Sequence, residues 1–265
     1  MKIVRYLYEG KTSYGLVEGI HLLSCDGDPF TGLIRQSAVI DPAAVKLLPP
    51  VDPPNIICIG LNYRKHAEET GIPAPAEPLI FIKATTSLCG PGDAIVLPAN
   101  SPDKIDYEAE LAIVIGKRAK DITEDEADEA ILGYTVANDV SNRAAQFADG
   151  QWARAKSYDT FCPVGPAIVT GIDADNLNIT CRLDGRVMQD SSTSDMIFSC
   201  RRIVSHLSLC FTLLPGTIIL TGTPEGVGFK RNPPVFLRPG QTVETEIEGI
   251  GTLVNPVTGV DRRSI

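Results

Sequence analysis

Little in this sequence suits a membrane. Across 265 residues no stretch approaches the roughly 18 uninterrupted apolar positions of a spanning helix. The opening Met1-Lys2-Ile3-Val4-Arg5-Tyr6 also lacks a signal-peptide apolar block, so a cytoplasmic protein is the expectation. Basic runs are missing too. With a formal net charge of -9 and its Lys and Arg residues dispersed, the chain is a poor match for nucleic acid or anionic lipid. Its seven cysteines include no CxxC pair, and settings such as Ile57-Cys58-Ile59 read as buried thiols, not disulfides or zinc ligands. G-x-S-x-G, the P-loop, H-E-x-x-H and G-x-G-x-x-G are all absent, which leaves four common chemistries without their motifs.

What is present supports a large buried core: 43% of residues are hydrophobic and 22% charged. The pattern predicts short strands at Ile3 to Tyr8, Ser13 to Val17 and Ile20 to Ser24. The cluster Pro49-Pro50-Val51-Asp52-Pro53-Pro54 cannot continue a helix or a central strand. It divides a small N-terminal β domain, 1–52, from a main domain, 53–265. The main part is rich in strand-like runs, among them Ile56 to Gly60, Leu79 to Lys83, Ala109 to Ile115, Tyr134 to Asn138 and Thr242 to Ile247, with hairpin signals at Asp184-Gly185 and Glu248-Gly249. Helices are few: a capping box, Thr123 with Glu126, opens one to about Ile131, and a second runs from Ser199 to Pro215-Gly216. Strands and helices do not alternate regularly, so the fold class is mixed and β-dominated.

In Tyr107-Glu108-Ala109-Glu110-Leu111-Ala112-Ile113-Val114-Ile115, period-two geometry puts Glu108 and Glu110 on one face of an otherwise apolar strand. Two adjacent, poorly solvated carboxylates repel unless a cation or a proton intervenes. Taken alone, Glu-x-Glu reads more simply as the solvated end of an edge strand, and Asp139, ending another β-type run, as a turn or cap. Three carboxylates without a nearby Cys or His would be hard oxygen donors, suited to Mg²⁺, Mn²⁺ or Ca²⁺.

A set of motifs, in order, decides between these readings. Cys58-Ile59-Gly60-Leu61-Asn62-Tyr63 with His66 and Glu69, Glu108-x-Glu110, Asn138-Asp139-Val140-Ser141, Lys156-Ser157-Tyr158-Asp159-Thr160-Phe161-Cys162-Pro163-Val164-Gly165-Pro166 and Thr221-Gly222-Thr223-Pro224-Glu225-Gly226-Val227-Gly228 resemble the fumarylacetoacetate hydrolase family from about Pro53 onward. The resemblance implies that family's β-rich fold, a homodimer, and a divalent metal, Mg²⁺ or Mn²⁺ with Ca²⁺ as a further candidate, held at Glu108, Glu110 and Asp139.

His66 and Glu69, three apart in a short helical segment that Asn62 caps, can face the same way. Arg64 with Glu68 and Lys65 with Glu69 are also ordinary ion pairs of a solvated helix; the resemblance implies instead a catalytic His-x-x-Glu dyad. It likewise implies that Lys156 helps hold substrate oxygens and that Arg143 and Gln146 contact the substrate. The stretch Asn142 to Arg154, with few apolar anchors, reads as a mobile lid or a surface loop. Thr223, in a loop rich in backbone N–H groups, is a further substrate contact.

These parts together predict a small anionic 2-oxo acid as substrate and a metal-stabilised enolate as the shared intermediate. Hydrolysis of a carbon-carbon bond in an acylpyruvate or β-diketone ranks first, with His66 and Glu69 activating water. Decarboxylation of a 2-oxo diacid such as oxaloacetate ranks second, isomerisation or hydration of a dienoic 2-oxo acid third. A catalytically inactive scaffold is the non-enzyme alternative.

Overall fold

The computed structural model describes residues 1–260, and its fold is β-dominated, as the pattern predicts. The main sheet follows the order Gly32–Ile40, His21–Asp28, Lys11–Glu18, Lys2–Tyr8, Cys162–Val169, Ile131–Asn138, Ala109–Ile115, Ile218–Leu220, Ile56–Gly60, Leu79–Lys83. All neighbours along it are antiparallel except Ile218–Leu220 with Ile56–Gly60. Lys2–Tyr8 pairs directly with Cys162–Val169, so the N-terminal meander and the rest of the chain share one sheet. A second sheet orders Arg186–Ser192, Asn178–Leu183, Thr242–Ile247, Gly251–Gly259 and Ile95–Leu97.

The strand Ala109–Ile115 is buried along its whole length, and its alternating side chains serve two different cores. Leu111, Ile113 and Ile115 face a cluster that includes Ile179, Val243 and Leu253 of the second sheet and Ile203 and Leu207 of the helix Cys200–Cys210. Ala112 and Val114 face the other cluster, against which Tyr14, Leu16, Phe30 and Leu33 of the N-terminal meander pack. Each fully buried branched side chain there contributes about 1.5–3 kcal/mol relative to exposure. Truncating a side chain in this central strand leaves a cavity with no flexible wall to close it. Ile113→Ala, at a residue with 0% exposure, is therefore expected to lower unfolding free energy by about 2–5 kcal/mol in a urea titration.

Several local expectations change. The Glu126 carboxylate does accept from the Thr123 N–H at 2.8 Å and hydroxyl at 2.9 Å, but the helical turn covers only Ala127–Ala130, and a strand begins at Ile131. The helix after Ser199, whose hydroxyl caps the Arg202 N–H at 3.2 Å, ends at Cys210 instead of reaching Leu214. Backbone pairing of Leu213 with Ala119 takes over there. Asn142 to Arg154 is not an irregular loop: Asn142 caps a helix, Arg143–Asp149, and a turn of helix, Ala153–Lys156, follows. The cysteines are all free thiols, six buried and Cys210 exposed. Among the described residues no helix is long and apolar enough to cross a membrane.

Candidate metal centre and active site

Register brings distant segments to one edge of the main sheet. Ala109 pairs with Asn138, so the start of one strand and the end of its neighbour coincide, and Asp139, whose N–H donates to Glu108 O at 2.9 Å, lies opposite Glu108. Antiparallel pairing of Ala112 with Leu220 carries Thr221 to Thr223 to the same edge, and parallel pairing of Leu220 with Cys58 carries Gly60 there. The carboxylates of Glu108, Glu110 and Asp139, all buried, each offer an oxygen within 4.8 Å of the others. They line a cavity of about 280 Å³ together with His66, Arg143, Gln146, Lys156 and Thr223. All nine residues singled out in the sequence except Glu69 therefore line one cavity, and Glu69 reaches it through His66.

Cations are folded into the same site. The Lys156 ammonium lies 2.5 Å from Glu108 Oε2 and 2.5 Å from Asp139 Oδ2. Lys83, its side chain 0% exposed, lies 2.5 Å from the other Asp139 oxygen. Arg143 donates from Nη2 to Glu108 at 2.6 Å and from Nε to Asp106 at 2.9 Å, and from Nη1 to Gln146 at 2.9 Å. Its guanidinium also sits over the Phe229 ring, 4.3 Å from the centroid. Sequence reading missed Lys83 and Asp106, because the first looks like the polar end of a strand and the second like a loop acid. The only signal was their nearness to apolar runs, Leu79 to Phe81 and Tyr107 to Ile115.

Four buried carboxylates, Asp106, Glu108, Glu110 and Asp139, thus face three buried cations, and the deficit falls on Glu110. Glu110 is 2% exposed, and its Oε2 accepts from the Gly222 N–H at 2.7 Å, yet among the described residues no cation pairs with it. Burial, reinforced by the charges of Asp139 and Glu108, pushes its carboxyl well above the usual range. Burial acts on Glu108 in the same direction, but Arg143 and Lys156 overrule it and hold Glu108 below that range. For Lys156 burial disfavours the charge, and Asp139 and Glu108 more than offset it. A divalent cation fits this surplus: the donors are hard carboxylate oxygens, and one of them lacks any counter-charge. Bound there in place of the Glu110 proton, it would leave the buried group with a net charge of about plus one, which favours an anionic ligand.

The dyad stands on the cavity wall. His66 Nδ1 lies 3.1 Å from Glu69 Oε2, and Glu69 Oε1 accepts from the Gly226 N–H at 3.0 Å, which fixes the carboxylate and through it the ring. Asn62 does not cap this helix. Its N-cap is Tyr63 without a side-chain bond, while the Asn62 amide donates to Thr221 O at 2.7 Å and accepts from the Phe198 N–H at 2.8 Å. Asn62 instead ties the helix entry to the Thr221 loop. The Thr223 hydroxyl donates to Ala109 O at 2.9 Å and accepts from Gln189 Nε2 at 2.8 Å, so Gln189, unremarked in the sequence, sets its orientation. The ring of Trp152, after the first of the two helices, meets Phe81 edge-on at 5.2 Å. It fits only because residue 60 is glycine: a Cβ there would fall 2.4 Å from the indole.

Residues 55–258 match the family model described as fumarylacetoacetate (FAA) hydrolase C-terminal. The chain belongs to this family. Residues 1–50 match a second model, Rv2993c-like, N-terminal. Over 231 residues the chain is 46% identical to a Bos taurus protein named oxaloacetate tautomerase FAHD2A, mitochondrial, covering 85% of this chain and 73% of that one. A solved structure described as 5-carboxymethyl-2-hydroxymuconate delta-isomerase from Mycobacterium smegmatis superimposes with a TM-score of 0.89 at 41% identity, covering 98% of this chain and 100% of that chain. One described as 2-hydroxyhepta-2,4-diene-1,7-dioate isomerase from Mycobacterium marinum gives 0.89 at 40% identity, covering 99% and 100%. The members named here are enzymes, and these three carry names of proton-transfer reactions on oxo or hydroxy-dienoic acids.

Proposed function

We propose that this chain is a divalent-metal-dependent enzyme that interconverts the keto and enol forms of a 2-oxo acid. The observation that carries the reading is the His66–Glu69 dyad on the wall of the cavity whose floor holds Glu108, Glu110 and Asp139. A cation held by those three carboxylates would supply Lewis-acid stabilisation of negative charge on the substrate's 2-oxo oxygen. Lys156 has one ammonium N–H beyond its two carboxylate partners, and Arg143 Nη1 one beyond Gln146. With the Gln146 amide N–H they form the binding set for the carboxylate of the 2-oxo acid, which the Thr223 hydroxyl joins by turning its proton away from the Ala109 carbonyl. His66, holding Glu69 through Nδ1, is left with Nε2 to take the proton from C3 and to return it there. The enol hydroxyl proton goes to solvent as C3 is protonated, so the reaction neither gains nor loses atoms and needs no attacking water.

This ordering differs from the one the sequence favoured, hydrolysis first. The three relatives' names support proton transfer, and the same dyad suffices for it. Hydrolysis of a carbon-carbon bond stays as the second reading, because the dyad is equally suited to deprotonate a water and the family model is that of a hydrolase. Decarboxylation shares the enolate. Ultraviolet monitoring of enol loss, with Mg²⁺ or Mn²⁺ added and with product analysis on acetylpyruvate and oxaloacetate, separates the three. Keto product without loss of carbon supports the proposal, and its collapse on adding chelator supports the metal. Pyruvate plus an acid, or pyruvate plus carbon dioxide, as the principal products would overturn it in favour of hydrolase or decarboxylase.

A further inference from the structure

At the floor of the cavity the two cations, Arg143 and Lys156, are buried and already committed to carboxylates. At its mouth the lining is hydrocarbon: Ile72, Leu79 and Phe147 are 54%, 45% and 68% exposed. One cation stands at that rim. The Lys230 ammonium donates to the Thr70 carbonyl at 3.1 Å and lies 5.6 Å from the centre of the Phe229 ring, and Thr70 and Phe229 both line the cavity. An ammonium carries three N–H donors; among the described residues Lys230 commits only this one, and no carboxylate pairs with it.

The position of this charge is fixed from below. Lys230 ends the turn Gly228–Lys230, whose Gly228 and Phe229 N–H groups donate to the Asp106 carboxylate at 2.8 and 3.1 Å. Asp106 also accepts from Arg143 Nε at 2.9 Å, so one buried carboxylate anchors both the floor guanidinium and the turn that carries Lys230. Residue 228 has to be glycine for this, because a Cβ there would fall 1.9 Å from the Val235 carbonyl oxygen. Arg143 and Lys230 lie 4.3 Å and 5.6 Å from the centre of the same Phe229 ring, so the two charges are no further apart than those distances together.

A 2-oxo acid whose head group sits on the floor must extend its remaining carbons toward this mouth. A second carboxylate arriving among Ile72, Leu79 and Phe147 loses water, a costly transfer unless a cation receives it. Lys230 has two uncommitted donors to receive it. We infer that Lys230 is the specificity-determining residue of this site: it pairs with a distal carboxylate and so selects 2-oxo diacids over 2-oxo monoacids of the same length. The placement of the head group rests on the proposed function; the role of Lys230 rests on its own position at the rim.

Calorimetry on the Mn²⁺-loaded full chain with 2-oxoglutarate and 2-oxopentanoate, which differ only in the terminal carboxylate, tests the pairing without turnover. The wild type is expected to bind the diacid at least about tenfold more tightly, the low end for a hydrogen bond between charged groups because the rim is exposed. Lys230→Gln is expected to remove most of that ratio, Lys230→Glu to invert it, and Lys230→Arg to keep it. In turnover of the oxaloacetate enol, Lys230→Gln should raise KM about tenfold and change kcat little, since the ammonium touches no reacting atom. Equal or tighter binding of 2-oxopentanoate to the wild type, no binding of either ligand, or a ratio unmoved in both Lys230→Gln and Lys230→Glu would overturn the inference. If the ratio follows the charge at residue 230 while no enol is turned over, the tautomerase reading fails and this one stands. If the enol is turned over while the ratio ignores that charge, Lys230 is not the determinant and the tautomerase reading stands.

Discussion

Glu110→Gln is expected to weaken Mn²⁺ or Mg²⁺ binding by at least about 100-fold, since losing a direct ligand should exceed the roughly 10–100-fold loss seen for outer partners of ligands. Glutamine is nearly isosteric and its amide oxygen can still accept from the Gly222 N–H, so the fold around it should persist. Stability should respond with opposite signs in the two conditions. Without metal, the buried Glu110 carboxyl sits above the usual carboxylate range, so the folded state holds a proton that the unfolded chain releases. Wild-type stability therefore falls as pH rises from the unfolded value toward the raised folded one, and the glutamine variant escapes that loss. It should melt no lower than wild type in chelator at neutral pH. With metal at 100 times its Kd the wild type should gain about 2.7 kcal/mol and the variant almost none. Thermal melts of both proteins with and without Mn²⁺ read the crossover directly, and a variant that melts well below wild type in chelator would contradict it.

His66→Ala is expected to lower kcat by about 10²–10⁴ while leaving metal affinity and substrate KM close to wild type, because the imidazole acts on the reacting proton and ligates nothing. Glu69→Gln should fall between the two. It keeps an oxygen for the Gly226 N–H, 3.0 Å away in the wild type, but loses the charge that steadies an imidazolium. Steady-state kinetics on an enol substrate, paired with calorimetric metal titration, separates loss of proton transfer from loss of the site. A His66→Ala enzyme with kcat unchanged and KM raised would assign His66 to binding and move the proton transfer elsewhere.

The parts legible in the sequence are those governed by local periodicity. Glu108 and Glu110 could be placed on one face because a strand repeats every two residues, and Ala109–Ile115 is a strand with that alternation. His66 and Glu69 could be paired because three residues make most of a helical turn, and they meet at 3.1 Å. What stayed hidden depends on contacts across the chain. Lys83 finds Asp139 over a separation of 56 residues, and Arg143 finds Asp106 over 37, so nothing local marks either pair. Proline obscured other elements: Cys162–Val169 contains Pro163 and Pro166, and Gly251–Gly259 contains Pro256, yet both pair in sheets. Asn62 misled for a related reason. Its position before a helix fits a cap, but tertiary bonds to Thr221 and Phe198 claim the amide first.

The central claim is that Glu108, Glu110 and Asp139 hold one divalent cation, and anomalous diffraction from Mn²⁺-soaked crystals tests it most directly. A single peak lying about 2.0–2.6 Å from an oxygen of each of the three carboxylates, with the Lys156 ammonium moved off its bridge between Glu108 and Asp139, is the predicted result. No peak within the cavity at saturating Mn²⁺, with that ammonium still spanning the two carboxylates, would contradict it.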